Sequence, residues 1–374
     1  MKKAGIITFQ GSNNCGSLLQ AYALQQYVKN KFGIDNEIIN FSNAKQKEMY
    51  AVFNKNNSIK KIIKNLMCFP YRNLIKRHYN DYEKFISEYL YLSSESFETS
   101  SEMIGIEKNY SMLIAGSDQI WNIKCYDADD AYFLNFARDI KKIAYAPSLG
   151  AMRIKKYADN PDVYRKYIND FDYLSIRESN GKKWVEELVD REVPILPDPT
   201  LLINRSEWDK LIGERIISGD YIFYYAFHYP RDISKVLKKL SAQIGMPIIM
   251  MDAKPWLIKG AKMYGFQMSH NSGPLTFLNL MKYANVVITT SLHGSIFSAI
   301  FEKNFWYLKS SIFNPDDDRA VFLLGQLNLL DRLVPVADLN RENIFQKHDF
   351  TKTRQNIINM QREADVFLEE ALKS

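Results

Sequence analysis

Short apolar runs and segments with helical periodicity alternate along most of the chain. The first apolar run, residues 4–9, ends in a polar loop and is followed by a helical pattern near Leu18. Runs of this length, bounded by Gly, Ser and Asp, predict buried strands. Further strands are predicted at 111–115, 142–146, 173–177, 221–227, 247–251, 286–290 and 305–308, and further helices at 180–188, 233–244, 294–302 and 353–372. This alternation is typical of an α/β fold with parallel sheets.

A break containing two prolines divides the chain. The 374 residues suffice for about two domains. The prolines lie within 196–203, and a new helical pattern starts at Ser206. We therefore predict an N-terminal domain over 1–203, which carries a basic helical insertion at about 49–100, and a C-terminal domain over 204–350. The remaining segment, 351–374, is predicted to be a helix that packs back on the first domain.

The composition is that of an ordinary globular protein, with 46% apolar and 25% charged residues, which excludes disordered and collagen-like classes. The aromatic share of 13% favours pockets that stack against sugar rings. The three cysteines are far apart and the five histidines lack metal spacing, so neither a metal nor a disulfide framework is predicted. The sequence has no signal-peptide pattern and no run of membrane-spanning length, which predicts a cytoplasmic protein.

The positive charge is concentrated in one segment. The net charge is +6, and no acidic residue lies between Glu48 and Asp81, where basic residues from Lys55 to Arg77 interleave with apolar ones. One interpretation is a basic amphipathic surface, which would contact anionic lipid at the inner membrane face or a polyanionic substrate. The other is a helical insertion with an ordinary solvated face. Because no helix-turn-helix, RRM or zinc pattern accompanies the charge, nucleic-acid binding is not predicted.

The loops that follow the strands are the expected ligand sites of a parallel α/β sheet. Loop 11–17 has small residues that let backbone amides approach an anion, although a capped turn explains them equally. Loop 116–122 contains Asp118, which suits a base or an orienting acceptor for a hydroxyl, or else a helix N-cap. The candidate acceptor or anion contacts in the two loops are Asn14, Gly16, Ser17, Ser117, Gln119, Trp121 and Asn122.

Two later loops supply cationic and titratable side chains. Arg177 ends a predicted strand, and its planar fork suits a carboxylate or phosphate, although a surface pairing with Glu178 would also explain it. His293 lies in a strand-to-helix turn with Ser291 and Ser295 on either side. An imidazole there can transfer protons near neutral pH, whereas a lone histidine is more often a core residue.

These segments together resemble the polysaccharide pyruvyl transferase family. The stretches that carry the resemblance occur in family order at 13–24, 116–122, 144–150, 175–178, 198–202 and 291–297, and Arg319 and 323–324 also fit. The resemblance implies an α/β fold of two Rossmann-like domains facing a cleft, similar to GT-B glycosyltransferases.

The resemblance further implies transfer of the enolpyruvyl group of phosphoenolpyruvate onto two hydroxyls of a sugar. The acceptor would be a capsular or exopolysaccharide precursor, free or lipid-linked, and the products a pyruvate ketal and phosphate. His293 would donate the proton or stabilise the phosphate, and Asp118 would orient or deprotonate the acceptor. Donor binding would fall to Arg177 and to the turn residues Ser291, Leu292, Gly294 and Ser295. This chemistry implies no metal and no cofactor.

Position 291 departs from the family pattern, since members can carry Arg-Leu-His where this chain has Ser291 before Leu292 and His293. Arg319 or Lys309 would then supply the missing positive charge. Two other functions stay open, because a fold does not determine chemistry. They are a GT-B-type glycosyltransferase with a nucleotide-sugar donor and a non-catalytic binding protein.

Overall fold

The structure is a computed structural model that describes residues 2–226, 228–309 and 317–373. It contains two parallel sheets, each with six strands in the described residues. The strands of the first sheet are β1 (Lys3–Ile7), β2 (Asn36–Phe41), β3 (Leu92–Phe97), β4 (Tyr110–Ala115), β5 (Lys141–Ala144) and β6 (Tyr173–Leu174). Those of the second are β7 (Ile222–Tyr225), β8 (Ile248–Met250), β9 (Gln267–Met268), β10 (Val286–Thr289), β11 (Phe305–Lys309) and β12 (Leu333–Pro335).

Both sheets have the same strand order. The first is β3-β2-β1-β4-β5-β6 and the second β12-β11-β10-β7-β8-β9. Numbered within its own domain, each sheet therefore has the Rossmann order 3-2-1-4-5-6. The direction in which successive strands are added reverses between β1 and β4 in the first sheet and between β7 and β10 in the second. Ligands of such sheets bind at the carboxyl ends of the strands, at the reversal. The predicted fold class is confirmed.

The predicted strands correspond to observed ones, but four of them, β1, β5, β6 and β7, end two or three residues before the predicted positions. Strand β6 ends at Leu174 rather than at residue 177, because residues 175–178 leave the sheet to form part of the domain interface. Strand β7 ends at Tyr225; residue 227, where the predicted strand ended, lies outside the described residues. The sequence pattern missed the short or polar strands β2, β3, β9 and β12.

Helices cover the faces of both sheets. In the first half of the chain they are α1 (Cys15–Phe32), α2 (Ala44–Tyr50), α3 (Ile59–Cys68), α4 (Arg72–Tyr89), α5 (Ile154–Tyr157), α6 (Pro161–Asn169) and α7 (Ser179–Glu186). In the second half they are α8 (Arg205–Lys210), α9 (Arg231–Ile244), α10 (Ala253–Ile258), α11 (Gly273–Tyr283), α12 (Leu292–Ile300), α13 (Arg319–Gln326) and α14 (Thr351–Lys373). Central strands such as β10 are buried along their whole length, which explains their uninterrupted apolar sequence.

The helices of the predicted insertion lie against the second domain. Helix α4 contacts α10 and α11, and α3 contacts α10. The buried face of α4 joins the second domain through polar contacts as well: His78 Nε2 lies 3.2 Å from the carbonyl oxygen of Ser269, and Asp81 accepts a 2.8 Å bond from the Ser272 amide. The chain then returns to the first sheet as β3, so the insertion crosses between domains and ends in a strand.

Helix α14 crosses in the opposite direction. Near its start Thr353 donates to the carbonyl of Leu327 in the second domain. Further along, Asp365 accepts a 2.5 Å bond from the Tyr27 hydroxyl of α1, and the Phe367 ring packs against Tyr145 and Tyr173. The two crossings tie the domains together from both ends. None of the helices in the described part of the chain is both long and apolar enough to cross a bilayer.

Candidate active site

The loops at the two sheet reversals meet at the domain interface. Gly16 of the first domain lies against His293 of the second so closely that a Cβ on Gly16 would be 2.1 Å from the imidazole Nδ1. Only a glycine allows this approach, which gives a packing reason for Gly16. His293 is therefore held in place by the backbone of the opposite domain.

The loops after β1 and β4 are joined by hydrogen bonds. Asn14 caps α1 by accepting bonds from the amides of Gly16 and Ser17, at 2.9 and 3.4 Å, so the capped turn considered from the sequence does form. The Ser17 hydroxyl donates a 2.5 Å bond to Asp118 Oδ2. Asp118 Oδ1 accepts from the Gln119 amide at 2.8 Å, and the segment after it is a series of turns rather than a helix. These contacts hold the Asp118 carboxylate next to α1.

Asp198 connects Arg177 with His293. Its Oδ2 accepts a 2.8 Å bond from Arg177 Nη1 and lies 3.2 Å from His293 Nε2. Its Oδ1 accepts from both the amide and the hydroxyl of Thr200, at 3.1 and 2.7 Å. The contact with His293 is within ion-pair distance, but Nε2 is buried and makes no hydrogen bond in the described residues. This nitrogen therefore has unused hydrogen-bonding capacity.

The charge state of Asp198 follows from this environment. Burial alone would raise the pKa of its carboxyl, but the opposing effects of His293, of the Arg177 guanidinium and of the Thr200 hydrogen bond are larger and hold the pKa well below its usual range. Asp198 is therefore an anion at neutral pH, and this anion lies 3.2 Å from His293 Nε2.

Glu178 is a second buried carboxyl beside Arg177. Its Oε1 accepts bonds from the Ser148 hydroxyl at 2.8 Å and the Leu149 amide at 3.1 Å, and its Oε2 lies 3.6 Å from Arg177 Nε. Burial raises the pKa of Glu178 even though Arg177 and Arg319 oppose the increase. Arg177 is thus not engaged in a surface pair with Glu178, as one interpretation of the sequence had it; it is buried and its closest partner is Asp198.

Arg319, at the start of α13, brings a second guanidinium to the same cleft. Its Nε donates a 2.7 Å bond to Asp317 Oδ1, and its Nη2 contacts the other oxygen of that carboxylate. Next to it, Asp318 accepts a 3.0 Å bond from the Asn180 amide of the first domain. The cleft between the domains is narrow, with a cavity volume of about 20 Å³, and is lined among others by Arg177, Glu178, Asp198, Leu292, Arg319 and Met360.

The charges in the cleft are already paired. Arg177 and Arg319 face the carboxylates of Asp198 and Asp317, and Asp118 lies 3.9 Å from Arg177. Arg177 Nε is buried and has no hydrogen-bond partner in the described residues, so this guanidinium keeps a donor that an anionic ligand could engage. The site combines a buried imidazole, two guanidinium groups and a hydroxyl-bonded carboxylate, which together suit proton transfer at an anionic substrate.

Two predicted ligand contacts in the β4 loop are wrong, because their side chains are fully buried. The Trp121 indole donates to the carbonyl of Tyr132 at 3.1 Å and stacks on Phe133 inside the core. Ser117 contacts the carbonyl of Ala146 through its hydroxyl and Gln20 through its amide. Both residues shape the loop but cannot touch a ligand. Gln119 and Asn122 are half-buried and bond to each other at 3.1 Å.

The turn after β10 brings some of its predicted residues to the cleft. Leu292 lines the cleft, whereas Gly294 packs against β10, where a Cβ would lie 2.1 Å from Thr289 Oγ1. Ser291 caps α12 by accepting from the Gly294 amide at 3.4 Å. Ser295 is fully buried, and its hydroxyl donates a hydrogen bond to the carbonyl oxygen of Ser291. The side chains of Ser291 and Ser295 therefore both stabilise the start of α12. The predicted donor contact by Ser295 is therefore wrong.

Lys309 and Arg319 differ in position. Lys309 ends β11, just before residues 310–316, which lie outside the described residues. It is not among the described residues that line the cleft, whereas Arg319 is. Of the two residues considered as a replacement for an arginine at position 291, Arg319 is thus the one found in the described lining of the cleft.

Asp198 and Glu178 were not among the residues predicted from the sequence to act in the site. Asp198 lies between two prolines and two residues before Thr200, a pattern that favours a turn closed by the carboxylate. That pattern signals the turn but not the partners across the interface. Glu178 follows Arg177 directly, and nothing in the sequence indicates that it is buried.

Two further carboxyls, of Asp127 and Asp252, have raised pKa values, and the first of them interacts with Asp118. Asp127 accepts a 3.0 Å bond from the Gln46 amide, and burial raises its pKa. Asp252 accepts a 2.7 Å bond from the Tyr229 hydroxyl, and burial raises its pKa too. No group of three or more His, Cys, Asp or Glu that could hold a metal occurs within residues 2–226, 228–309 and 317–373.

Two Rossmann-order domains with ligand loops facing across a cleft define the GT-B type of fold. Among solved structures, UDP-GlcNAc 2-epimerase from Neisseria meningitidis, bound to UDP-GlcNAc, is similar over 100% of both chains, at 12% identity and a TM-score of 0.52. The same epimerase from Methanocaldococcus jannaschii is similar over 99% of this chain and 100% of its own, at 13% identity and a TM-score of 0.51. MurG from Acinetobacter baumannii covers 99% of this chain and 98% of its own, at 7% identity and a TM-score of 0.43. At these identities the likeness concerns the fold alone.

The sequence itself identifies the family. The profile of the polysaccharide pyruvyl transferase family matches residues 14–311, a span that contains Asn14, Asp118, Arg177, Asp198 and His293. The chain belongs to this family and is a transferase of polysaccharide biosynthesis. A search of curated proteins finds no match to it.

Replacing Gly16 by alanine tests the contact between the domains. Because the added methyl would overlap the His293 ring, we expect Gly16→Ala to lower the free energy of unfolding by about 1–3 kcal/mol in urea titrations. Gly213→Ala is the matched control, since a Cβ at Gly213 meets nothing within 4 Å. Equal stability of the two variants would contradict the packing described here.

Asp198→Asn tests the buried carboxylate. Because the folded pKa of Asp198 lies below its usual value of about 3.9, the carboxylate stabilises the protein above that pH and the contribution is lost as the pH falls through the folded pKa. We expect the variant to be less stable by about 3 kcal/mol at pH 7, with a difference that shrinks below about pH 4. The exposed Asp35, 3.8 Å from Lys29, provides the control Asp35→Asn. A difference that stayed constant as the pH falls from about 5 to about 3 would count against the ion pairs.

Proposed function

We propose that this protein transfers the enolpyruvyl group of phosphoenolpyruvate onto two hydroxyls of a sugar in a capsular or exopolysaccharide precursor. Family membership supports a pyruvyl transferase. The observation that carries the proposal is the arrangement at Asp198, whose Oδ2 bonds Arg177 and lies 3.2 Å from His293 Nε2. A cation for an anionic donor and a group for proton transfer thus meet in one cleft.

The proposed reaction requires two proton transfers. The central carbon of the donor forms two bonds to sugar oxygens and loses its bond to the phosphate oxygen, and the methylene carbon becomes a methyl group. Of the two protons released by the sugar hydroxyls, one ends on the methyl carbon and the other leaves with the phosphate. The site therefore needs a proton donor, an acceptor for hydroxyl protons and positive charge near the leaving group.

The residues of the cleft suit these roles. His293 Nε2 lies 3.2 Å from Asp198, which lines the cleft, and makes no hydrogen bond in the described residues; we assign His293 the protonation of the methylene carbon or the stabilisation of the phosphate. Asp118 already accepts a bond from one hydroxyl, that of Ser17, and we assign it the orientation or deprotonation of the sugar hydroxyl. In this proposal, positive charge from guanidinium groups neutralises the phosphate, so no metal ion and no cofactor is involved.

Arg177 and Arg319 are the proposed donor-binding cations. Ser291 cannot supply charge, and its hydroxyl caps α12. Arg319 lines the cleft together with Arg177, although it comes from a different element than position 291. Lys309 is the alternative. The acceptor in this proposal is a sugar, free or carried on a lipid, and a protein acting on a lipid-linked acceptor would work in the cytoplasm at the inner membrane face.

The reaction is tested by incubating the protein with phosphoenolpyruvate and a panel of free and lipid-linked galactose, glucose and mannosamine derivatives. We expect phosphate release and a mass gain of one ketal on at least one acceptor. His293→Gln should reduce the rate by roughly 100-fold or more, because proton transfer is lost, while the exposed His270→Gln should be unaffected. Turnover of a nucleotide sugar with no ketal on any acceptor would instead establish a glycosyltransferase.

Donor binding is tested by calorimetry with phosphoenolpyruvate. We expect Arg319→Ala to weaken binding by roughly tenfold or more, because it removes a charge-assisted contact to phosphate or carboxylate. Lys309→Ala distinguishes the two candidate cations, since only the residue that contacts the donor should matter. If neither change altered the dissociation constant, the replacement of the arginine at position 291 by another cation would be wrong.

A further inference from the structure

Helix α3 turns its apolar side chains away from the protein. Ile59 and Leu66 are 77% and 67% exposed, and the other large apolar residues of this helix, Ile62, Ile63 and Met67, are exposed too. The neighbouring Phe69 is 58% exposed. We call these six residues the α3 apolar face. Amphipathic helices of globular proteins normally bury this side, so the orientation is the reverse of the usual one.

Polar contacts on the inner side determine this orientation. Lys61 forms a 2.8 Å ion pair with Glu48, and Asn65 accepts a 3.0 Å bond from the Asn54 amide. Cys68 is buried in the core of the second domain. At about 100° per residue these three side chains lie opposite the α3 apolar face, which spans an arc of about 140° around Ile59. The helix is therefore anchored through polar and small residues, and its apolar arc is left without a partner in the described residues.

Basic residues border the α3 apolar face. Lys60 and Lys64 follow the apolar arc around the helix, and Arg72 and Lys76 are exposed on the next helix. The Arg72 guanidinium lies 4.8 Å from the centre of the Phe69 ring. No acidic residue occurs between Glu48 and Asp81, and Glu48 is paired with Lys61. An apolar stripe bordered by one sign of charge fits a surface that is apolar inside and anionic outside.

We propose that the α3 apolar face lies in the headgroup region of an anionic lipid bilayer. The helix is 10 residues long, which is too short to span a membrane but sufficient to lie in its interface. Its apolar side chains would enter the acyl boundary while Lys60, Lys64 and Arg72 contact lipid phosphates. Anionic lipid is attracted to such basic groups over about one Debye length.

A second copy of this chain fits the surface less well. A two-fold contact brings the same patch of both copies together, so it would place the basic residues bordering the α3 apolar face opposite each other. No acidic residue of the segment between Glu48 and Asp81 could compensate them. Charge complementarity therefore favours the lipid surface over self-association.

The proposal concerns a surface outside the cleft and does not depend on the transferred group. Vesicle binding requires neither donor nor acceptor. It can therefore be observed even if the ketal reaction fails, and the ketal reaction can be observed even if vesicle binding fails. If both hold, the membrane surface would keep the enzyme near an acceptor carried on a lipid.

Co-sedimentation of the full chain with vesicles tests the proposal. We expect binding to vesicles of phosphatidylcholine mixed with phosphatidylglycerol, and much weaker binding to phosphatidylcholine alone. The double variant Ile63→Gln, Leu66→Gln should bind the anionic vesicles roughly tenfold less, because two apolar insertions are lost. Added salt should weaken the binding of the wild-type chain by screening the basic residues.

Val366→Gln is the matched control, since Val366 is 69% exposed on α14, nearly the same as Leu66. It should bind like the wild-type chain, and circular dichroism should show that every variant is folded. No binding to either kind of vesicle, or equal binding by the double variant, would overturn the proposal. So would a dimer in light scattering that the double variant abolishes, because the α3 apolar face would then be covered by a second copy.

Discussion

The buried carboxylate of Asp198 is the group on which the candidate site depends. Arg177 and His293 come from different domains and both lie in the interior, where an unpaired charge is costly. Asp198 accepts a hydrogen bond from Arg177 and faces His293 through Oδ2, while Thr200 donates a hydrogen bond to Oδ1 of the same carboxylate. The electrostatics of the cleft therefore depend on how the domains are aligned, since a shift of either domain would move the His293 imidazole away from the Asp198 carboxylate.

The two interdomain crossings explain how such a constraint is maintained. Helices α3 and α4 pack on the second domain, and α14 packs on the first. Each domain is thus held by a segment from the other half of the chain, and Gly16 and His293 are in close contact across the interface. The crossing by α3 and α4 also leaves the apolar side of α3 exposed, because the opposite side of that helix makes the polar contacts. The segment that presents this surface is thus one of those that hold the domains together around the cleft.

The sequence predicted the central strands well, because strands buried on both faces are apolar throughout. Edge strands such as β3, with the sequence Leu-Ser-Ser-Glu-Ser-Phe, lack that signal. His293 and Arg177 were found because chemistry-bearing residues at strand ends are unusual. Trp121 was wrongly predicted to contact a ligand, since no local pattern distinguishes a buried indole from an exposed one. The amphipathic pattern of α3 shows that an apolar face exists, but its direction is set by Asn54 and Glu48, which lie outside the helix.

Solvent access decides which ion pair of the cleft can open for an anion. The side chains of Arg177 and Asp198 are almost completely buried, and an Asp198 released from its partners would remain an unsolvated charge. Asp317, the partner of Arg319, is partly exposed, so water can replace the guanidinium when that pair separates. In the proposed function, Arg319 can therefore exchange its carboxylate for a ligand at lower cost, while Arg177 can keep its bond to Asp198 and offer its unpartnered Nε. Under the proposed function, such a site would need no arginine at position 291, because α13 would supply the positive charge instead.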